Sequence, residues 1–250
     1  MITAKNISKS FNDYLVLDDV SLEFKPGKCN LIIGQSGSGK TVLMKCLVGL
    51  LPVDSGEIYF DTRVISKLSF NEMKNIRQDI GMLFQGSALF DSMTVIQNVM
   101  FPLTMFSKMS NAEKLDRANF CLKRVNLQNV NKLFPSEISG GMKKRVAIAR
   151  AISNNPRYLF CDEPNSGLDP KTANVIDILI SEITQEYDIT TIVNTHDMNS
   201  VIEIGDKIAF LNKGKLCWEG DKDEILHSEN EILNDFVYST ELTRRLKSHP

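Results

Sequence analysis

The stretch that decides the fold is "GQSGSGKT", residues 34–41. It fits the spacing of phosphate-binding loops, in which a glycine is followed after four residues by Gly-Lys and then by Ser or Thr. The apolar run "CNLII" (29–33) precedes it, and the helix-forming run "KTVLMKCLVGL" (40–50) continues from its end. A glycine-rich loop between a strand and a helix surrounds phosphate groups with backbone N–H donors at the positive end of the helix dipole. The stretch therefore predicts a strand, a loop and a helix that together bind a nucleotide.

Within this loop, two side chains have distinct expected roles. Lys40 is expected to reach the terminal phosphates, and the Thr41 hydroxyl is expected to be a ligand of Mg²⁺. The backbone of the loop and of the first helical turn supplies the other contacts. The predicted nucleotide-binding set is Gly34, Ser36, Gly37, Ser38, Gly39, Lys40, Thr41 and Val42.

Polar side chains at the ends of three other apolar runs predict the rest of an active site. "YLFCDE" ends in Asp162, suited to hold Mg²⁺, and Glu163, suited to orient or deprotonate a water. Gln85 ends "IGMLFQ" and can reach the metal and the attacking water. His196 follows "TTIVNT" and can contact a γ-phosphate. For each of these side chains taken alone, a solvated or structural role at a strand end is the competing interpretation.

The alternation of strand-like and helix-like runs predicts the fold class. "CNLII", "IGMLF", "YLFC", "TTIVNT" and "KIAFL" are short, apolar and separated by helix-like segments, which is typical of a parallel sheet covered on both faces. "ITAKNISKSF" (2–11) and "LDDVSLEF" (17–24) alternate instead and predict an antiparallel side sheet. The expected class is α/β, with a phosphate-loop parallel core preceded by this side sheet.

A helical segment is expected inside that core. Between about residue 86 and residue 150 no strand pattern occurs. Apolar positions recur there at helical spacing, at Leu115, Ala118, Leu122 and Val125. Further along, Asp169 and Pro170 predict the N-cap and first residue of a helix, and the chain after Asp221 is polar and predicted to be helical.

The composition limits the possible partners and location. The 250 residues include 29 basic and 31 acidic side chains, for a net charge of −2. This balance gives no basic footprint, so we expect no nucleic-acid partner and expect any membrane role to act through a partner protein. The start "MITAKNISKS" has no apolar core of signal-peptide length, and no run of about 18 apolar residues occurs, which favours the cytoplasm. The five cysteines lack CxxC spacing and are predicted to be reduced packing residues.

The run "SGGMKKRVAIARA" (139–151) has two interpretations on its own. A hydroxyl and two glycines before a helical run are typical of a serine-capped helix start. The same unpaired N–H groups can also hold an anion. Lys143, Lys144 and Arg145 are predicted to be the solvated face of this helix.

Taken together, these motifs resemble the ABC ATPase family, in the family's order and over about residues 2–220. The matching motifs are Gly34–Thr41 (Walker A), Gln85 (Q-loop), "ISGG" at 138–141 (signature), "YLFCDE" (Walker B), "SGLDP" at 166–170 (D-loop) and His196 (switch histidine). The resemblance implies the ABC ATPase fold, ATP hydrolysis with Mg²⁺, Glu163 as general base, and Thr41, Gln85 and Asp162 serving the metal.

The resemblance also assigns the run at 139–151. In this family the signature loop holds the γ-phosphate of an ATP bound to a second copy, so Ser139, Gly140 and Gly141 are expected to act across a head-to-tail homodimer. An aromatic residue near the amino terminus usually stacks on adenine; Phe11 matches that position, with Tyr14 as the competitor.

Departures from the common pattern resemble one subfamily. Met142 stands where most ABC ATPases carry Gln, and "GSALFDSMTVIQNVMFPL" follows Gln85. Both features are similar to the ATPase of Mla-type systems, which implies phospholipid transport, an integral-membrane permease, a lipid-binding partner and a place on the cytoplasmic face of the inner membrane. The permease is expected to dock on the helical insertion, where apolar side chains form either a groove or the insertion's own core: Met93, Met100, Phe101, Met105, Phe106 and Met109.

Several functions share these motifs. Lipoprotein release, small-solute transport, and an ATP-switched scaffold of a cell-envelope or cell-division complex remain alternatives. The predicted organisation is an ATPase domain over 1–225, with the helical subdomain inserted at about 86–150, and a helical tail over 226–250. Within that tail, "EILNDFVYST" (231–240) is expected to dock on the neighbouring subunit.

Overall fold

Two β-sheets and the helices around them form the chain, which a computed structural model describes over residues 1–238, without the Phe70 side chain. The elements are β1 (Ile2–Phe11), β2 (Tyr14–Phe24), β3 (Cys29–Ile33), α1 (Lys40–Leu47), β4 (Ser55–Phe60), β5 (Arg63–Val64), α2 (Phe70–Arg77), β6 (Ile80–Leu83), α3 (Val95–Phe106), α4 (Asn111–Arg124), α5 (Gly140–Ile152), β7 (Tyr158–Asp162), α6 (Pro170–Glu186), β8 (Thr190–Thr195), α7 (Met198–Ile204), β9 (Lys207–Asn212), β10 (Lys215–Gly220) and α8 (Glu231–Val237).

The central sheet is parallel, as predicted, except at one edge. Its order is β10-β9-β3-β8-β7-β6, and only β10 runs antiparallel to its neighbour. Every residue of β3, β7 and β8 is buried, which explains why these strands are nearly continuous apolar runs. Because all five parallel strands end at the same edge, the loops that follow them are neighbours in space.

The side sheet is antiparallel, as predicted, with the order β2-β1-β4-β5. The sequence patterns identified β1 and β2 but missed β4, β5 and α2. The two residues of β5 are too few to show an alternation. Helix α1 lies between the two sheets, where Leu43, Met44 and Leu47 are fully buried in one core with Ile32 and Phe160.

The segment between β6 and β7 is helical, as predicted. Helices α3 and α4 both begin with a capping box, in which an N-cap hydroxyl and a side chain three residues later bond each other's backbone N–H groups. Ala118, Leu122 and Val125 are buried on the predicted face of α4. The prediction is wrong for Leu115, which lies one turn nearer the start of the helix and is 42% exposed. The division of the chain into an ATPase domain with an inserted subdomain and a tail stays a prediction.

Helix α8 packs on its own chain. Leu233 and Val237 are buried in the core, and the ring of Phe236 lies 5.3 Å from that of Phe210. Three apolar side chains of "EILNDFVYST" are thus used within the chain, Ile232 is 51% exposed, and docking of this segment on a neighbouring subunit stays a prediction. Ser239 and Thr240 lie outside the described residues.

Two further sequence predictions can be compared with the structure. Four of the five cysteines are buried and Cys217 is partly exposed, and all five are free thiols, as predicted. Among the helices of residues 1–238, none combines the length and the apolar character that crossing a membrane requires.

Candidate active site

A cleft of about 730 Å³ opens at the carboxyl edge of the central sheet. Residues from four of the six predicted motifs line it, together with Tyr14, Val16 and Phe236. The lining residues are Tyr14, Val16, Gln35, Ser36, Gly37, Gly39, Lys40, Thr41, Val42, Gln85, Glu163, His196 and Phe236. The structure thus brings together the phosphate-binding loop, Gln85, Glu163 and His196 from four separate parts of the chain.

The loop between β3 and α1 needs glycine where the chain is crowded and leaves space where a ligand can lie. Gly34 has a φ of +152°, and an added Cβ would come within 2.2 Å of the Leu211 carbonyl oxygen. Gly37, with a φ of +80°, has nothing within 4 Å of the position of its absent Cβ. The loop is therefore tightly packed against the protein at Gly34 and open at Gly37, as phosphate binding requires.

The Lys40 ammonium group is held within the loop by backbone acceptors. Its Nζ donates to the carbonyl oxygens of Gly34, at 2.8 Å, and Gln35, at 3.1 Å. Burial lowers the pKa of Lys40, and the nearby carboxylates of Glu163 and Asp162 oppose this shift. Both of these acceptors are neutral carbonyl groups, so the buried ammonium group can also bind an anion such as a phosphate.

Asp162 ends β7 next to the loop, and its carboxylate has two partners. The Thr41 hydroxyl lies 3.4 Å from Oδ1, and Asn194 Nδ2 donates to the same oxygen at 3.0 Å. Asn194 was missed by the sequence analysis. A polar residue inside the apolar run "TTIVNT" was the available sign, because such a residue is buried only when it is hydrogen-bonded.

These oxygens fit a Mg²⁺ site. Mg²⁺ is usually held by one or two protein oxygens, with the remaining ligands coming from phosphates and water. The Thr41 hydroxyl and the Asp162 carboxylate are adjacent, and the Gln85 side chain lines the same cleft. Within residues 1–238, no group of three or more His, Cys, Asp or Glu side chains forms another metal cluster.

Glu163 is held in an unusual backbone conformation directly after Asp162. Its φ is 49°, in the left-handed region that non-glycine residues seldom adopt, and its N–H donates to Asn194 O at 3.0 Å. Its carboxylate oxygens lie 2.9 and 2.8 Å from Nδ1 of His196. The Glu163 side chain is 14% exposed and that of His196 is 65% exposed. The acid is thus fixed by the backbone, while its imidazole partner faces solvent.

Gln85 and the loop after β7 are connected. Gln85 Nε2 donates to Ser166 Oγ at 3.3 Å, and the Ser166 N–H donates to Glu163 O at 3.2 Å. Gln85 in this structure is therefore bonded to the residues that follow the acid pair.

The prediction that Lys144 is solvated is wrong. This side chain is 4% exposed, and its ammonium group donates to the carbonyl oxygens of Gln85 and Glu163. The reason is helical periodicity, because Lys144 lies on the face of α5 that also buries Ala147, Ile148 and Ala151. Lys143 and Arg145 are half-buried beside that face.

The glycine-rich helix start at 139–141 is separate from this cleft. Ser139 is the N-cap of α5, and its Oγ accepts the N–H of Met142 at 3.3 Å, as in the serine-cap interpretation. Ser139 and Gly140 are exposed, and neither they nor Gly141 lines the cleft of their own chain.

Of the two aromatic candidates near the amino terminus, Tyr14 is the better placed. Tyr14 lines the cleft and is 71% exposed. Phe11, its antiparallel partner, is not among the lining residues, and Lys9 Nζ lies 5.6 Å from the centre of its ring. Phe11 is also 43% exposed, and the choice between it and Tyr14 as the residue against adenine stays a prediction.

The sequence model of one family, described as "ABC transporter", matches residues 17–166. The chain belongs to the ABC transporter family. The methionine import ATP-binding protein MetN of Campylobacter jejuni is 39% identical, over 95% of this chain and 75% of that protein. A probable ribonucleotide transport ATP-binding protein, mkl of Mycobacterium leprae, is 36% identical, over 94% of this chain and 68% of that protein.

Solved structures agree with this assignment. A dimeric bacterial ABC transporter cassette, MJ0796, superposes with a TM-score of 0.82 at 35% identity, covering 89% of this chain and 99% of that one. The cbiO1 protein of Clostridium perfringens, part of the transporter complex cbiONQ, gives a TM-score of 0.84 at 28% identity, with 98% of each chain covered. The fold, the ABC ATPase activity and the use of ATP and Mg²⁺ are thereby confirmed. The expected likeness to phospholipid transport ATPases is not confirmed, since MetN and mkl are named for methionine import and ribonucleotide transport.

In this ABC ATPase, the D-loop (166–170) follows a buried hydrogen-bond network. Asn165 Nδ2 donates to Asp177 Oδ2 at 2.7 Å and to Ser200 Oγ at 3.0 Å, and Ser200 donates to the same Asp177 oxygen at 2.8 Å. Within the described residues, Asp177 Oδ1 and Asn165 Oδ1 have no hydrogen-bond partner. Burial raises the pKa of Asp177 to about 6, against these two hydrogen bonds and with help from the charges of Asp197 and Glu203.

We expect Asp177→Asn to stabilise the protein above pH 7. The folded-state pKa is above the unfolded value of 3.8, so the folded chain binds more protons, and stability falls as pH rises from about 4 to about 6. Asparagine keeps the acceptor for Asn165 and Ser200, removes the buried charge and adds a donor. The expected gain is about 2–3 kcal/mol at pH 8, measured by urea unfolding, and it should shrink below pH 5.

Asp177→Ala is the matched control and should destabilise at every pH, because it removes the acceptor that Ser200 and one N–H of Asn165 use. A stability difference between wild type and Asp177→Asn that is the same at pH 5 and pH 8 would contradict this account.

Proposed function

We propose that this chain is the ATP-hydrolysing subunit of an ABC importer, acting as a head-to-tail dimer beneath a membrane permease on the cytoplasmic face of the inner membrane. The observation that best supports this is the meeting of Lys40, Asp162 and Glu163 at one edge of the sheet. An ammonium group, a metal-binding carboxylate and an acid beside a histidine are the parts that phosphoryl transfer to water needs.

Each site residue has a role in this proposal. Lys40 and the loop N–H groups bind the β- and γ-phosphates. Thr41, Asp162 and Gln85 hold Mg²⁺, which when bound neutralises charge on the phosphates. Glu163 accepts a proton from the attacking water at its carboxylate. His196, exposed at the mouth of the cleft, turns from Glu163 towards the γ-phosphate.

The dimer accounts for the separate position of the glycine-rich helix start. Ser139 and Gly140 are exposed outside their own cleft, with a capped helix N-terminus behind them. Backbone N–H groups at such an end favour an anion. In the proposed dimer, Ser139, Gly140 and Gly141 contact the γ-phosphate bound by the partner copy. The relative MJ0796 has been solved as a dimer, both as a cassette and in a post-hydrolysis state with ADP and Pi.

An apolar groove is the proposed docking site for the permease. It has a volume of about 390 Å³ and lies between the end of β6 and α3. Phe84, Phe90, Phe101 and Phe106 line it, with the rings of Phe90 and Phe101 4.7 Å apart. Of the methionines predicted there, Met100 packs against the core instead, and Met105 is 57% exposed. Four phenylalanine side chains thus supply aromatic surface to a groove that also has polar residues such as Arg77 and Asn154 at its wall, which suits an amphipathic helix of the partner.

For the cargo we propose a small solute, taken up into the cell. The names of the MetN and mkl relatives support this class, and identity of 36–39% over more than nine tenths of this chain makes them informative. No relative reported above supports phospholipid, and a lipid-binding partner is left without support. Lipoprotein release and a scaffold role without cargo remain alternatives that an uptake assay tests.

We expect Glu163→Gln to bind ATP with little change in affinity and to hydrolyse it about 10²–10⁴-fold more slowly, because it removes the proton acceptor. Phosphate release under steady-state conditions gives kcat and KM, and size-exclusion chromatography with ATP should show a stable dimer.

Glu203→Gln, an exposed acid on α7 outside the cleft, is the matched control and should keep the wild-type kcat. A Glu163→Gln variant that turns ATP over at the wild-type rate would remove Glu163 from the role of base.

The cargo proposal predicts ATP-dependent uptake in proteoliposomes. Vesicles that contain the subunit with its permease should accumulate a labelled small solute such as an amino acid when ATP is present on the side of the membrane where the ATPase lies. Vesicles with the Glu163→Gln complex should not. Labelled phospholipid transfer between vesicles, measured in parallel, should stay at background. ATP-dependent lipid transfer without solute uptake would overturn the small-solute proposal, and a complex with no permease would favour the scaffold.

A further inference from the structure

A buried lysine on α5 connects two parts of the active site. Lys144 lies five residues after the N-cap Ser139, and only 4% of it is exposed. Its Nζ donates to the carbonyl oxygen of Gln85, at the end of β6, and to that of Glu163, 3.4 Å away, at the end of β7. One ammonium group therefore bonds the backbone of two residues that the proposed mechanism uses.

This position is costly for a lysine. Burial lowers the pKa of Lys144, and the nearby charges of Glu163 and Asp162 act in the opposite direction. Its hydrogen-bond acceptors described here are neutral carbonyl groups and not carboxylates. A buried charge of this kind adds little stability compared with an apolar side chain, and its benefit is the conformation that it specifies.

A second buried cation on the same helix holds the segment after Gln85. Arg150 donates to Ala88 O at 2.6 Å and to Ser87 O at 2.8 Å. Both acceptor residues have positive φ angles, 64° at Ser87 and 46° at Ala88. The backbone at 85–88 is thus bonded to α5 at both ends, so movement of α5 and of the Q-loop is mechanically linked.

The Glu163 backbone has the same kind of support. Its N–H is bonded to Asn194 O, and its carbonyl oxygen accepts from both Ser166 N and Lys144 Nζ. With φ at 49°, this peptide is in a conformation that surrounding contacts must maintain. Without Lys144, the Glu163 peptide loses one of these contacts, and the conformation of that peptide determines where the Glu163 carboxylate points.

We propose that Lys144 is a positioning residue for ATP hydrolysis: it ties the signature helix α5 to Gln85 and Glu163, and so aligns the base and the metal-binding amide when the helix is in place. The inference rests on the proposed function, in which Glu163 is the general base. Because Ser139 begins the same helix, Lys144 also joins the surface offered to the partner's ATP to the catalytic groups of its own site.

The test compares three variants of the full chain. Lys144→Met keeps the length and apolar stem but has no donor, Lys144→Gln restores one neutral donor, and Lys144→Arg keeps the charge. We expect Lys144→Met to lower kcat about 10²-fold, since small misplacement of a catalytic group has effects of that size, while KM for ATP changes less than about threefold. Lys144→Gln or Lys144→Arg should recover part of the lost kcat.

Lys143→Met, half-buried on the same helix, is the matched control and should keep the wild-type kcat. Measurements of ATP affinity and of thermal unfolding distinguish a misfolded variant from one in which only Gln85 and Glu163 are misplaced. If Lys144→Met does not fold, Lys144→Gln is the test variant, and the inference then predicts a reduced kcat with unchanged ATP affinity. Wild-type kcat in folded Lys144→Met would overturn the inference, as would a loss expressed only in KM. Wild type and Glu163→Gln in the same assay test the general base independently: if Glu163→Gln is as active as wild type, the proposed function fails whatever Lys144 does.

Discussion

The parallel register of β3, β8 and β7 is the constraint on which the active site depends. Ile33 pairs with Thr195, and Asp162 pairs with Asn194, so the three strands end in one layer. The loops that follow carry Lys40, His196 and Glu163. A shift of one residue in either pairing would turn buried side chains to the opposite face and separate these groups. The apolar side chains that cover both faces of the sheet thus determine the chemistry at its edge.

Hydrogen bonds to the backbone then set the finer geometry. The Asn194 amide holds Asp162, its carbonyl holds the Glu163 N–H, and Lys144 and Ser166 bond the Glu163 carbonyl. These contacts come from β8, α5 and the D-loop. The position of the Glu163 carboxylate, the proposed general base, therefore depends on several elements, as expected where activity depends on a partner copy and a permease.

Much of the fold and most of the cleft could be predicted from the sequence. The phosphate-binding loop has a fixed spacing, and the buried strands are near-continuous apolar runs that end in Gln85, Asp162 or His196. The remainder depends on tertiary contacts. The two-residue strand β5 is too short for a pattern. The buried position of Lys144 follows from the orientation of α5, which the sequence of three adjacent basic residues does not indicate. The choice between Phe11 and Tyr14, which are paired and both exposed on one hairpin, depends on where adenine lies and stays a prediction.

Neither the cleft nor the groove identifies the cargo, because the cleft is the nucleotide site and the groove is the proposed docking site of the permease. Only the names of relatives bear on it, and they favour a small solute over phospholipid. The chemistry of the subunit does not depend on this choice.

The central claim is that each ATP lies between the loop of one copy and the glycine-rich helix start of the other. Mixing two inactive variants tests it most directly: Lys40→Ala, which lacks the phosphate-binding ammonium, and Gly140→Asp, which repels phosphate yet fits its own chain because an added Cβ would meet only Leu168 Cδ2, 3.8 Å away. The mixed dimer contains one intact site, built from the loop of the Gly140→Asp copy and the helix start of the Lys40→Ala copy. The account predicts that mixing restores ATP hydrolysis well above the sum of the separate variants. No gain on mixing, with both variants folded, would contradict it.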